Sequence, residues 1–154
     1  MAVYYHDTSA LVKHYHTEVG TPIVDHLLAE PNSSHFLSRL SGVELESALA
    51  KNVRMNLISV TDFQNYRVKF RTDITNSRFQ ILRLLVRHLQ RAETLIRQHA
   101  LAQSLRTLDA IQLAVALDLH QNHGLDYFVC ADTNLCQIAE AEGLAVINPV
   151  THTP

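Results

Sequence analysis

The segment that decides the fold is VYYHDTSALVK, residues 3–13. Its first three residues are β-prone and predict a strand that ends at His6-Asp7. Asp7 or Thr8 then stands where a helix cap is expected, and the helix is predicted to reach His16. This order of strand, acidic residue and helix indicates a strand-to-helix connection of an α/β fold.

Outward from this segment, short β-prone runs alternate with helical patterns to the end of the chain. Further strands are predicted at 35–38, 79–82, 126–130 and 145–147. Helices are predicted at 22–29, 41–55, about 60–70, 84–100, 107 to just before Gly124, and 134–142. This alternation favours a three-layer α/β fold, with a central parallel sheet of four to five strands and helices on both sides.

Composition limits the class of protein. The 154 residues predict one domain over residues 1–150, followed by a short C-terminal tail at 151–154. No apolar run approaches the roughly 20 residues needed to span a bilayer, and the N-terminus lacks the pattern of a signal peptide. Cys130 and Cys136 do not form a CxxC motif, which indicates free thiols in a reducing compartment. We therefore expect a cytoplasmic protein without membrane association.

The charge of the chain is divided unevenly. Residues 67–106 contain nine Arg or Lys and two acidic residues, a local charge of +7, whereas the whole chain has a formal net charge of −2. The remainder therefore carries −9. This asymmetry indicates a basic surface for a polyanion beside an acidic centre that needs cations, with a solvated helix face as the alternative.

Four carboxylates lie where ligands collect in a parallel sheet. Asp7 and Asp132 follow predicted strands, whereas Glu44 and Asp109 lie in the first turns of predicted helices. Each alone has an ordinary explanation as a cap, turn or solvated residue. Asp109, however, lies in a nearly all-apolar helix, where a carboxylate is costly unless it meets a cation or donor. Clustered carboxylates without Cys or His ligands indicate a hard ion, Mg²⁺ or Mn²⁺.

The segments around these acids resemble the motifs of the PIN domain family. They are DTSALVK (7–13), SGVE (41–44), LRTLDAIQLA (105–114) and FVCADTNL (128–135), and GLAVINP (143–149) resembles the usual ending. The resemblance covers nearly the whole chain, in order, and is greatest for VapC-like proteins, the toxin halves of bacterial toxin–antitoxin pairs. His6 and Cys130 depart from the pattern, which usually has an apolar residue and a Thr or Ser there. Neither departure removes a carboxylate, but both leave the metal affinity open.

The resemblance implies a metal-dependent ribonuclease that uses one or two Mg²⁺ or Mn²⁺ ions. Asp7, Asp109 and Asp132 are then the metal ligands, directly or through water, and Glu44 supports a second ion or orients the attacking water. Hydrolysis by this mechanism leaves a 5′-phosphate and a 3′-hydroxyl. Thr8 and Ser9 are expected to hold the Asp7 loop by hydrogen bonds, and Thr133 or Asn134 to do the same near Asp132.

The resemblance also implies a VapB-like antitoxin and a homodimer. We expect the dimer to bury apolar residues of the helices at 21–29 and 60–70, namely Ile23, Leu27, Phe63, Tyr66 and Phe70. Burial of these side chains within the protomer is an equally open alternative. The main alternative is a catalytically inactive PIN-like module that binds RNA or protein, against which the four acids count. A phosphatase of the haloacid dehalogenase type would need a second Asp where this chain has Ser9.

One expectation does not come from the family. Arg83, Arg87 and Arg91 are spaced four residues apart, so on one continuous helix they form a ridge. The acid nearest to them, Glu93, is better placed to pair with Arg97. The ridge, together with Arg106, is a candidate track for an RNA backbone. A solvated face and a surface for the antitoxin are the alternatives.

Overall fold

The computed structural model describes residues 1–152, over which the chain forms five strands and seven helices. Of the tail predicted at 151–154, residues 153 and 154 lie outside the described residues. The strands are β1 (Val3–His6), β2 (Ser34–Ser38), β3 (Gln80–Leu82), β4 (Tyr127–Val129) and β5 (Val146–Ile147). The helices are α1 (Thr8–Tyr15), α2 (Thr21–Ala29), α3 (Leu40–Arg54), α4 (Val60–Thr75), α5 (Val86–His99), α6 (Thr107–His123) and α7 (Thr133–Ala141).

The strands form one parallel sheet in the order β3-β2-β1-β4-β5. The chain first builds outward from β1 through β2 to β3, and then returns to place β4 and β5 on the other side of β1. The direction of winding therefore reverses between β1 and β4. Ligands of such sheets bind beyond the carboxyl ends of the strands at this reversal point. We call this side of the sheet the carboxyl edge.

Helices cover both faces of the sheet because strand residues alternate between them. Tyr5 and Phe128 belong to a core cluster with α5, α6 and α7. On the opposite face, Leu37 packs with apolar residues of α1 to α4, such as Leu11 and Leu49. The predicted three-layer α/β fold with a parallel sheet of four to five strands is confirmed.

Acidic side chains start two helices at the carboxyl edge. Asp7 caps α1 and accepts a hydrogen bond from the Ser9 N–H (3.0 Å). Asp132 caps α7 and accepts from the Leu135 N–H (2.9 Å). Such caps satisfy backbone donors that have no partner within the helix. Two of the four candidate acids are thus placed by the helices that they begin.

The apolar residues proposed for a dimer are largely used within the protomer. Leu27 and Phe70 are only 5% and 8% exposed. Ile23, Phe63 and Tyr66 are partly buried against core clusters. The expectation that these side chains form a free surface is therefore wrong for Leu27 and Phe70, because α2 and α4 pack against α1 and α3.

Two other sequence-based expectations concern the whole chain. Within residues 1–152, no helix combines the length and apolar character needed to cross a membrane. Cys130 and Cys136 are both buried and carry free thiols. The Cys136 thiol lies 3.2 Å from the carbonyl oxygen of Cys130, to which it donates.

Candidate active site

Asp7 lies at the centre of the carboxyl edge and is buried. Its backbone N–H donates to the carbonyl of Val129 at the end of β4 (2.9 Å), which fixes Asp7 at the reversal point of the sheet. Ser9 donates to Asp7 Oδ2 from both its backbone N–H and its hydroxyl. The same hydroxyl accepts from the Ala131 N–H (3.0 Å). Ser9 therefore joins the start of α1 to the loop after β4 and holds the Asp7 carboxylate.

Glu44 reaches the carboxyl edge from the first turns of α3 and is held by two donors. The Gln112 side-chain N–H donates to Glu44 Oε1 (2.6 Å), and the Thr8 hydroxyl donates to the same oxygen (3.1 Å). Gln112 is fully buried in α6 and lies 3.2 Å from the hydroxyls of both Thr8 and Ser41. Its side-chain oxygen accepts from the Tyr5 hydroxyl. Thr8 thus contacts Glu44, whereas the sequence placed it beside Asp7.

Asp109 and Asp132 share one arginine. The Arg106 Nε donates to Asp109 Oδ2 (3.0 Å), and an Nη atom of the same guanidinium lies 3.7 Å from Asp132 Oδ2. The Arg106 side chain is 74% exposed, whereas that of Asp109 is 13% exposed. Arg106 therefore supplies the cation that a carboxylate in an apolar helix requires. Of the four predicted arginines, it is the one that contacts the acids.

The acids form one electrostatic group. Burial raises the pKa of Asp7 to about 7; the Ser9 hydrogen bonds oppose this, while the charges of Glu44 and Asp109 add to it. Burial also raises the pKa of Glu44, against its hydrogen bonds from Gln112 and Thr8. The pKa of Asp109 is raised by burial and by the charge of Asp132, against its pairing with Arg106. Negative charge at this edge is therefore not balanced by the protein alone.

The donor set of the edge is relevant to a metal ion. All four acids offer oxygen, the ligand type preferred by Mg²⁺ and Mn²⁺. Within residues 1–152, however, no three Asp, Glu, His or Cys side chains are close enough together to hold one ion. The residues fit a hard divalent ion in chemistry and in charge. Direct ligation by three of them would require the side chains to move closer together.

Two residues predicted to support Asp132 do not do so. Thr133 and Asn134 are the first residues of α7, and both are exposed. In the part of the chain that the structure describes, neither side chain donates a hydrogen bond to Asp132. The backbone N–H of Leu135 makes that bond instead, because Asp132 is the cap of the helix.

The prediction that Arg83, Arg87 and Arg91 form a ridge of unpaired arginines on one helix is wrong. Helix α5 begins three residues after Arg83, which therefore does not share a helical face with Arg87 and Arg91. Arg87 donates two hydrogen bonds to Asp118 of α6 (2.9 Å each). Arg91 lies 3.9 Å from Glu142. These carboxylates come from distant parts of the sequence, so the local sequence around α5 did not indicate them.

Sequence reasoning missed Gln112 and Ser41, although Gln112 had a detectable signal. It is the one polar residue between Ala110 and Leu117 of α6, three residues after Asp109 and hence on a neighbouring position of the same helix surface. A buried amide needs hydrogen-bond partners, which in an α/β fold are most available at the site. Ser41 precedes Glu44 by three residues, and its sequence position alone gave no comparable signal.

Comparisons with known proteins agree with this architecture. The family model of the PIN domain matches residues 4–141. A search of curated protein sequences finds no significant match. The structure is similar to VapC20 of Mycobacterium tuberculosis, a sarcin–ricin loop cleaving toxin, with a TM-score of 0.68, 16% identity, and coverage of 95% of this chain and 99% of that chain.

Two further solved structures are similar. FitAcB from Neisseria gonorrhoeae has a TM-score of 0.66 and 17% identity, with coverage of 97% of this chain and 99% of that chain. A toxin–antitoxin complex from Klebsiella pneumoniae has a TM-score of 0.58 and 20% identity, with coverage of 97% and 98%. At such identities the likeness concerns the fold. The family match itself spans all four acids, and on that match the chain belongs to the PIN domain family.

Proposed function

We propose that the chain is a ribonuclease that hydrolyses RNA phosphodiester bonds with a divalent metal ion, and that it is the toxin of a VapBC-like toxin–antitoxin pair. The observation that carries the proposal is the electrostatic group of four acids at the carboxyl edge: Asp7, Glu44, Asp109 and Asp132. Membership of the PIN domain family supports it. So does the likeness in fold to VapC20, a toxin that cleaves the sarcin–ricin loop, and to a toxin–antitoxin complex.

The proposed site takes one or two Mg²⁺ or Mn²⁺ ions. Asp7, Asp109 and Asp132 would hold the metal, directly or through water, and Glu44 would support a second ion or the attacking water. A bound ion lowers the pKa of water and offsets charge on the scissile phosphate. The raised pKa values of Asp7 and Asp109, caused first by burial and then by neighbouring acids, support this assignment, because a bound cation would stabilise these buried carboxylates.

The residues of the chain have separable roles in this proposal. Ser9 keeps the Asp7 carboxylate oriented, and Gln112 does the same for Glu44. Burial raises the pKa of Glu44, which makes its carboxylate a better acceptor for a proton from the attacking water. Arg106 is exposed and keeps N–H groups free to contact a phosphate. Hydrolysis would leave a 5′-phosphate and a 3′-hydroxyl.

The partner proposals are a VapB-like antitoxin and a homodimer acting in the cytoplasm. Val60 and Val68 of α4 are 64% and 63% exposed and are candidates for a protein interface. Sedimentation at micromolar concentration tests the dimer, which a purely monomeric protein would contradict.

The experiment for the activity uses purified protein with single-stranded and structured RNA. We expect cleavage in Mg²⁺ or Mn²⁺, its loss in EDTA, and its loss in Asp7→Asn. Analysis of the product ends should find 5′-phosphates. Cleavage that persists in EDTA or in Asp7→Asn would contradict the mechanism, and wild-type protein that binds RNA without cutting it would indicate the inactive module instead.

A further inference from the structure

A cavity of about 350 Å³ adjoins the carboxyl edge between the sheet and the α3–α4 pair. Ser38 and Arg39 line it from the end of β2, the strand beside β1. Val43 and Leu45 line it from α3. The cavity therefore reaches the carboxyl edge at the end of β2, and its volume is in the range of small-ligand sites.

One wall of the cavity is apolar. It is formed by Phe70 and Ile74 of α4 and by Ile81 of β3. Gly42 of α3 also lines the cavity, and a Cβ added there would meet Phe70 Cε1 at 4.0 Å, an ordinary contact. A larger side chain at this position would therefore project into the cavity.

The cavity carries unbalanced positive charge. Its lining contains three arginines and one carboxylate, and Arg67 is paired with that carboxylate, Glu46 (2.6 Å). Within residues 1–152, Arg39 and Arg71 make no ion pair. The backbone of Arg39 is held by a hydrogen bond from its N–H to the Leu82 carbonyl (2.8 Å). Arg71 lies one helical turn after Arg67 on α4. Two guanidinium groups thus remain for an anionic ligand.

We propose that this cavity binds one nucleotide of a single-stranded RNA substrate at the end of β2, with Arg39 and Arg71 contacting its phosphates. An apolar wall beside free guanidinium groups suits the combination of base and phosphate in unpaired RNA. The inference rests on the proposed ribonuclease function. Arg71 of α4 belongs to the basic segment 67–106, so the inference gives part of the positive charge of that segment a role in RNA binding. The arginines of α5 in the same segment face carboxylates instead.

The role of the two arginines is tested with a fluorescein-labelled, mixed-sequence 12-nucleotide RNA. Its binding is measured by fluorescence anisotropy in EDTA, from 50 to 300 mM salt. Arg39→Ala/Arg71→Ala should weaken binding about tenfold or more. The salt slope should fall by about 1.4, for two phosphate contacts at about 0.7 each. The matched control is Arg54→Ala, an exposed arginine of α3 outside the cavity, which should bind within about twofold of wild type. Unchanged affinity and slope in the double variant would overturn the proposal.

Filling the cavity tests its shape without removing charge. Gly42→Leu should weaken binding of the same RNA about tenfold, whereas Gly42→Ala should not, because its Cβ fits in ordinary contact. Circular dichroism checks that both variants fold. If wild-type protein cleaves RNA and every cavity variant binds and cleaves as well as wild type, the nucleotide site is rejected and the ribonuclease proposal stands. RNA binding that depends on the cavity, in a protein that never cleaves, would reject the ribonuclease proposal alone.

Discussion

The carboxyl edge and helix α5 contain similar numbers of charged residues but differ in how far these charges are paired within the protein. At the edge, the one arginine of residues 1–152 that contacts the four acids, Arg106, reaches two of them, Asp109 and Asp132. On α5, Arg87 is paired with Asp118, and Arg91 lies beside Glu142. Charges balanced within the protein serve its structure, whereas unbalanced buried charges raise the energy of the protein until an external ion binds. The balance of charge therefore separates a ligand site from a helix surface, and charge alone does not.

The largest difference between the two regions should appear in catalysis. Asp109 and Asp118 both lie on α6, one at the edge and one facing α5. Asp109→Asn should reduce RNA cleavage about 100-fold or more, because it removes a proposed metal ligand. Asp118→Asn, the matched control, should cleave within about threefold of wild type. Single-turnover cleavage rates at saturating Mg²⁺ measure both variants. Equal losses of rate would contradict the proposed difference between the two regions.

The unbalanced charge of Asp7 should lower the thermal stability of the fold when the carboxyl group is ionised. The folded pKa, raised to about 7 by burial, lies above the ordinary value of 3.8, so the folded state binds the proton more tightly. The charge of Asp7 therefore lowers stability progressively as pH rises from 4 to 7. In EDTA, Asp7→Asn should match the wild-type Tm near pH 4 and exceed it by about 5 °C at pH 8. A lower Tm for Asp7→Asn at pH 8 in scanning fluorimetry would contradict this reading.

The smallest effect on thermal stability should come from the Arg87–Asp118 pair, whose charges balance each other. Hydrogen bonds from Arg87 lower the pKa of Asp118 to about 2, so its contribution is present above pH 4 and is lost as pH falls toward 2. The Arg87 side chain is 59% exposed, so solvent screening keeps the contribution of the pair small. Asp118→Asn should lower the Tm by about 2–4 °C at pH 7, with no difference near pH 2. A thermal melt series across pH checks this, and an effect that grows toward pH 2 would have the wrong sign.

The fold was predictable because its signals are local. The strand at Val3–His6, the cap at Asp7 and the apolar pattern of α6 each identify an element without knowledge of the rest. Parallel pairing then follows from the alternation of strands and helices. The start of α5 was predicted two residues early, at 84 rather than 86, so Arg83 was expected directly before the helix, whereas it lies in the loop after β3.

The candidate site was only partly predictable, because its supporting contacts are long-range. The acids could be named from strand ends, helix starts and the family motifs. The bonds of Gln112 to Glu44 and of Arg87 to Asp118 join residues 68 and 31 positions apart, and no local pattern indicates them. The cavity proposed to bind a nucleotide likewise depends on how α4 packs against α3 and the sheet.

Metal binding by the carboxyl edge is the most direct measurement of the central claim, that its unbalanced acids form a divalent-ion site. Calorimetric titration of wild-type protein with Mn²⁺ should give saturable binding of one or two ions. Asp118→Asn should bind as the wild type does, and Asp109→Asn should bind at least about tenfold more weakly. Identical isotherms for wild type and Asp109→Asn, or no binding up to millimolar Mn²⁺, would contradict the account.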